Sequence, residues 1–297
     1  MTLRVSFGLR PRHLNYSSQR QTDQRGEKKN SEAVIGLSEM KKASFIFSLV
    51  LLAAPCVLAQ TAGDHLMAGD EIYAKFDDAG ALAEYEKAAA LDPINYDALW
   101  KTARGYMNLG DRIDYSQKDH EERQQKYYRA GEAFLRKALS VNPQDSFGRY
   151  LNAAYLGRLA RAMSRKQQVA TAYTIKAEID KALALDPGND MAWHALAYWH
   201  RTLAEVGRAV RFFGGILYGR IPKGSFEEAV KGFQKAIALN PKFGNHHFEL
   251  ARTYAAMKKK EPAIKELQAG LDCADTTSMC AHYKERARRM LMRLEEK

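Results

Sequence analysis

Apolar residues recur every three to four positions through most of this 297-residue chain, and the runs they form are cut at intervals by proline. "LDP" at Pro93, "VNP" at Pro143, "LDP" at Pro187 and "LNP" at Pro241 each close one such run. Five residues before the prolines stand Ala88, Ala138, Ala182 and Ala236; eight before stand Tyr85, Leu135, Ile179 and Phe233; twelve before stand Ala81, Gly131, Ile175 and Ala229. These offsets place the side chains on one helical face, and the proline ring ends the helix because it cannot continue the hydrogen-bond ladder. A second amphipathic stretch follows each proline: "YDALWKTARGYMNLG", "SFGRYLNAAYLGRLA", "DMAWHALAYWHRTLA" and "GNHHFELARTYAAMK". In these, Ala103, Ala153, Ala197 and Ala251 share one position, where two backbones must approach closely. The pattern predicts an all-α chain of stacked helix–turn–helix units.

These residues resemble the tetratricopeptide repeat (TPR) family, most closely in "SFEEAVKGFQKAIALNP", "ALAEYEKAAALDP" and "HHFELARTYAAMKKKEPAIKELQAGL". The resemblance covers residues 62 to about 272 and implies a TPR-like helical-hairpin solenoid of about five units. The prolines lie 50, 44 and 54 residues apart, against a family period of about 34. Lengthened helices or elaborated turns are therefore expected at "DRIDYSQKDHEERQQK", around "MSRKQQVATAY" and at "VGRAVRFFGGILYGRIPKG". More narrowly, "AWHALAYWH" followed by "LYGRIPKGSFEEAVKGFQKAIALNP" is similar, over residues 190–272, to the regulator of microtubule dynamics family. That resemblance implies a helical-repeat adaptor, associated in animal members with microtubules and mitochondrial membranes. The array is expected over residues 60–276, with residues 277–297 as a C-terminal capping helix. Thr277 or Ser278 would cap that helix, Tyr283, Ala287, Met290, Leu291 and Leu294 form its apolar stripe, and Arg286, Arg288, Arg289 and Arg293 its solvated face.

The formal charge of +11 changes meaning once the chain is divided. Nine of the 46 Lys/Arg and four of the 35 Asp/Glu lie in residues 1–59, which leaves 37 bases against 31 acids, a net +6, in the remainder. That interspersed excess calls for no nucleic-acid partner. Residues 40–59 have the layout of a secretory signal: Met40, Lys41 and Lys42, the apolar run Phe45 to Ala54, then "PCVLA" with Ala59 before cleavage. Residues 1–39 are polar and patternless, a disordered leader or a mis-assigned start. The expected location is the periplasm or cell envelope; the alternative is a membrane anchor formed by residues 43–59.

The apparent chemical motifs mostly dissolve into the repeat. In "AWHALAYWH", Trp193, Leu196 and Ala197 fall on the core face, whereas His194 and His200 are six residues apart and do not converge on one ion. No metal site and no cofactor is expected. "GGILYGRIPKGS" lacks the lysine a phosphate loop requires and reads as a helix-ending turn. Cys273 and Cys280 would close a small disulfide loop in an oxidising compartment. Phe212, Phe213, Ile216, Leu217 and Tyr218, within residues 211–219, suit a membrane surface or a partner helix, but the favoured expectation is that they pack beneath the lengthened helices.

One candidate site remains. Seven residues after the prolines come Trp100, Tyr150, His194 and Phe248, and four further on Arg104, Ala154, Tyr198 and Arg252. Stacked repeats would align them along a concave groove suited to an extended peptide or acidic segment. The sequence thus points to a non-enzymatic scaffold that binds a protein or peptide partner, without nucleic acid. The alternatives are a membrane-tethered cytoskeletal adaptor, and a small-molecule-binding protein or enzyme that uses the inner His, Tyr and Trp side chains.

Overall fold

The structure, a computed structural model, describes residues 60–296. The leader and export-signal expectations for residues 1–59 lie outside the described residues. Among those described there are twelve α-helices and no strand. They are α1 (Ala62–Ala74), α2 (Asp78–Leu91), α3 (Tyr96–Asp111), α4 (His120–Val141), α5 (Ser146–Leu159), α6 (Arg165–Leu185), α7 (Asp190–Ala204), α8 (Arg208–Tyr218), α9 (Phe226–Leu239), α10 (Gly244–Ala256), α11 (Lys260–Asp272) and α12 (Cys280–Glu295). None is long and apolar enough to cross a membrane.

The proline turns place capping side chains where the next helix needs them. Asn95, Asp145 and Asn189, two residues after Pro93, Pro143 and Pro187, each accept a hydrogen bond from an amide in the first turn of α3, α5 and α7. That satisfies one of the amide donors a helix start leaves unpaired. After Pro241 the same position is Phe243, which makes no side-chain cap. Its ring instead meets His246 edge-on, with centroids 4.8 Å apart.

Five hairpins follow: α1/α2, α3/α4, α5/α6, α7/α9 and α10/α11, with α12 packed over the last. The repeat positions become the core. Ala88, Ala138, Ala182 and Ala236 are buried, as are Tyr85, Leu135, Ile179 and Phe233, and Ala103, Ala153, Ala197 and Ala251. Alanine stands where helix backbones meet, and a large apolar residue fills the space one turn away. The departures from the family period appear as a 22-residue α4, a 21-residue α6 and α8 inserted between α7 and α9.

The first helices of the hairpins, α1, α3, α5, α7 and α10, touch one another in series and form the inner wall. The array curves far enough for its ends to meet. Asp78, the first residue of α2, has a fully buried side chain that receives Asn108 Nδ2 at 3.0 Å, Arg112 Nη1 at 3.1 Å and the hydroxyl of Ser278. Because that hydroxyl is turned to Asp78, it does not cap α12, whose N-cap is Met279 with no side-chain bond.

Candidate functional site

The inner wall borders an open-sided channel of about 1050 Å³, lined by α5, α6 and α7, by Val210, Gly214 and Tyr218 of α8, and by α12 opposite. Of the seven residues that the repeat offsets single out, Tyr150, His194 and Tyr198 line it. Phe248 and Arg252 line a second, smaller pocket of about 490 Å³ between α10 and α12. Trp100 and Arg104 line neither. They stack at the N-terminal end of the array, where the Arg104 guanidinium lies 3.8 Å from the Tyr73 ring centroid and 4.9 Å from that of Trp100. Trp100 packs edge-on against Phe147 at 5.1 Å. The continuous groove expected from the sequence is therefore shorter than the array.

The channel's polar groups are held in place by one another. Arg158 grips Asp111 with Nε at 2.8 Å and with Nη2, and the Tyr128 hydroxyl donates to the same carboxylate at 2.8 Å. Burial alone would raise the pKa of Asp111, but the Arg158 guanidinium outweighs it and holds the carboxyl below its usual range. Between α7 and α10, Arg201 Nη2 lies 2.5 Å from Glu249 Oε2, and Arg252 Nη1 lies 2.9 Å from Glu249 Oε1. Here too burial pushes Glu249 up, and the two arginines prevail. Beside them, His194 Nδ1 is 2.8 Å from His246 Nδ1, and His246 Nε2 is 2.9 Å from Asp190 Oδ2. Burial, reinforced by His246, lowers the pKa of His194 to about 3 and keeps the ring neutral. Burial also pushes the Tyr150 hydroxyl up to about 12, so it stays a hydrogen-bonding group.

This arrangement fixes groups rather than converging them on one reacting atom. Among the described residues there is no cluster of three or more His, Cys, Asp or Glu able to hold a metal. Tyr198, 41% exposed, and Tyr283 present aromatic surface across the channel. The smaller pocket carries Arg252, Arg286, Arg289 and Arg293, with Glu249 as its one carboxylate. The two cavities share Asn245, Glu249, Tyr283 and Arg286, so an arginine-rich pocket lies beside the aromatic channel.

Arg158 was findable from the sequence, because Tyr150, Ala154 and Arg158 continue one four-residue stripe. The contribution of Tyr283 and Arg286 was not, since the apolar stripe of α12 reads as a cover for the array's end. Ala287 of that stripe does pack with Phe248, Ala251 and Leu267, while Met279, His282 and Tyr283 face the channel.

Two expectations are corrected here. In place of a Cys273–Cys280 disulfide there are two free thiols. Cys273 Sγ points to the carbonyls of Pro241 and Ala269 at 3.5 and 3.4 Å, whereas Cys280 Sγ accepts the Thr276 amide at 3.4 Å. Burial raises the pKa of Cys273; for Cys280 the hydrogen bonds from Thr277 and Thr276 overcome burial and lower it. The second correction concerns residues 211–219. Phe212, Phe213, Ile216 and Leu217 are between 63% and 70% exposed. They do not pack beneath the lengthened helices, because the face of α8 turned to the protein is occupied by Arg211 and Gly214.

Comparison with known proteins places this architecture. The family model described as "Regulator of microtubule dynamics protein 1-3" matches residues 63–295. "Regulator of microtubule dynamics protein 1" of Mus musculus is 26% identical over 240 residues, covering 77% of each chain. The protein of the same name from Caenorhabditis elegans is 21% identical over 224 residues, 75% of this chain and 96% of its own. The chain spans 63% of the relative from Pongo abelii. Among solved structures, a thermophilic TPR protein of Thermus thermophilus superposes with a TM-score of 0.55 at 16% identity, over 77% of this chain and 100% of its own, and so shares the fold.

Proposed function

The chain belongs to the regulator of microtubule dynamics protein 1-3 family, and from that premise we propose that it is a non-enzymatic adaptor that holds an acidic partner segment along its inner channel. The observation that carries this reading is that the arginine-rich pocket and the aromatic channel adjoin, with Asn245, Glu249, Tyr283 and Arg286 lining both. An acidic stretch meets Arg286, Arg289 and Arg293 in that pocket, and its apolar residues lie against Tyr150, Tyr198 and Tyr283 in the channel. Large rigid aromatics supply contact area at low entropic cost, and the arginines supply charge-assisted bonds. His194, Arg158 and Arg201 act as the frame, since each is committed to a neighbour.

The test is photocrosslinking from position 198 in the full chain, combined with Arg286→Glu/Arg293→Glu. Both substituted side chains are exposed, so melting should stay as in the parent. Crosslinked partner peptides should be rich in Asp and Glu, and their yield should fall with salt and with charge reversal. Neutral or basic peptides captured equally by the reversed chain would end the proposal. The names of the relatives favour a second reading, that the partner is a cytoskeletal polymer; co-sedimentation of the full chain with microtubules tests it directly.

The signal-like segment Met40 to Ala59 supports a place for this adaptor in the periplasm or cell envelope, against an anchor formed by residues 43–59. N-terminal sequencing of the exported chain separates the two.

A further inference from the structure

α8 inverts the usual orientation of an amphipathic helix. Ala209, Val210, Phe212, Phe213, Ile216 and Leu217 fall within about 160° of arc at roughly 100° per residue, and all six are exposed. The opposite face is the one that touches the protein. There the Arg211 guanidinium reaches the carbonyl of Pro222 at 2.5 Å and that of Leu203, which straps the helix to the chain on both sides of it. Gly214 is buried, and a Cβ added there would lie 3.1 Å from Ile221 Cδ1, so the helix backbone sits close against the loop that follows. An arginine and a glycine therefore hold the helix down, while two phenylalanines and three branched aliphatics point to solvent. A contiguous apolar patch displayed in this way marks an interaction surface.

The charges beside the patch select its partner. From Val206 to Phe226 the chain contains no carboxylate, and Arg220 and Lys223, in the segment that follows the helix, are both exposed. Gly219 at φ 97° ends the helix and turns the chain into that basic segment. At 11 residues α8 is too short to span a bilayer, but it can lie in the interface plane with its apolar face among the acyl chains. Lysine and arginine at headgroup level are drawn to anionic lipid. We propose that α8 docks this protein flat on an anionic lipid surface, with Phe212, Phe213, Ile216 and Leu217 inserted and Arg220 and Lys223 at the headgroup phosphates. Val210, at one edge of this face, also borders the inner channel, whereas Phe212, Phe213, Ile216 and Leu217 do not, so the inserted side chains lie outside it.

The test uses a readout local to α8, so that insertion of any other segment does not mimic it. Full-length chain carrying Phe213→Trp is mixed with vesicles of phosphatidylcholine and phosphatidylglycerol brominated on their acyl chains. Bromine quenches an indole only when the ring enters the hydrocarbon. The expected result is several-fold more quenching than in the parent chain, weakened by Arg220→Glu/Lys223→Glu and in vesicles of phosphatidylcholine alone. Quenching no greater than the parent's overturns the proposal. So does a concentration-dependent dimer that Phe213→Glu/Leu217→Glu dissociates, since that would assign the face to a second copy of the chain. Because these side chains are exposed, each variant should melt with the parent, which keeps the comparison interpretable.

Discussion

The hydroxyl end of Tyr155 lies against Gly131: a Cβ on Gly131 would collide with the Tyr155 hydroxyl oxygen, which donates to the carbonyl of Ala103. Three helices, α3, α4 and α5, are thereby joined at one point by a residue that has no side chain. Gly131→Ala should cost about 2–3 kcal/mol, because the ring must move and give up a buried hydrogen bond. Gly157, in α5, is the contrast, since its nearest neighbour to an added Cβ is Ile175 Cδ1 at 4.0 Å. Gly157→Ala should stabilise by about 0.5–1 kcal/mol through helix propensity and a less flexible unfolded chain. Urea melts of the two variants should move in opposite directions.

Protonation of His194 should set the upper edge of acid sensitivity. Folded, the ring stays neutral down to about 3, whereas its ordinary value is 6.5. Between those values the unfolded chain binds the extra proton, so stability is complete above about 6.5 and falls as the pH drops towards 3. The loss should reach about 2 kcal/mol at roughly pH 5. Glu249, whose ordinary value is 4.5 and whose folded value is lower, adds its own loss only from there downward. His194→Gln should make the upper part of the curve shallower, the slope that remains belonging to His200 and His282, which burial also lowers, and leave the lower part in place. Chemical melts across that range, parent against variant, check it; parallel curves would show that His194 is not the group responsible.

The repeat was legible because it is written in packing. Alanine five residues before each proline and a large apolar residue eight before are demands of backbone contact, and each such position is buried. The inner site was only half legible. Offsets along one helix find Tyr150, His194 and Tyr198, but they cannot say which carboxylate reaches Arg158 from 47 residues away, nor that Glu249 sits between Arg201 and Arg252. The same blindness misplaced α8. An apolar run predicts burial unless one knows that Arg211 and Gly214 already hold the inward face.

Arg158 and Asp111 form the main ionic pair of the channel wall, with side-chain exposures of 24% and 19%. Arg158→Met leaves the carboxylate with Tyr128 alone and should cost about 2–4 kcal/mol, below the fully buried limit because water still screens the pair. Replacing both, as Asp111→Leu/Arg158→Met, removes the orphaned charge. The double variant should therefore be more stable than the sum of the single losses implies, and a double-mutant cycle measures the difference.

Ser278 holds the two ends of the array together through Asp78, so α12 lies across the channel partly by a latch and partly by the packing of Ala287 on Phe248 and Leu267. In Ser278→Ala, Asp78 keeps Asn108 and Arg112, and no buried charge is orphaned. The cost should be one charge-assisted bond, about 1–2 kcal/mol, felt at α12 and not in the core. Amide exchange in the first turns of α12 should then quicken by roughly 5- to 30-fold, with α5 unchanged. Faster exchange confined to α12 makes the helix a movable wall, and a segment that enters the channel beside Tyr283 would bind the variant more tightly than the parent. Unchanged exchange would mean that the packing alone fixes α12, and that the channel admits only what fits beside a static helix.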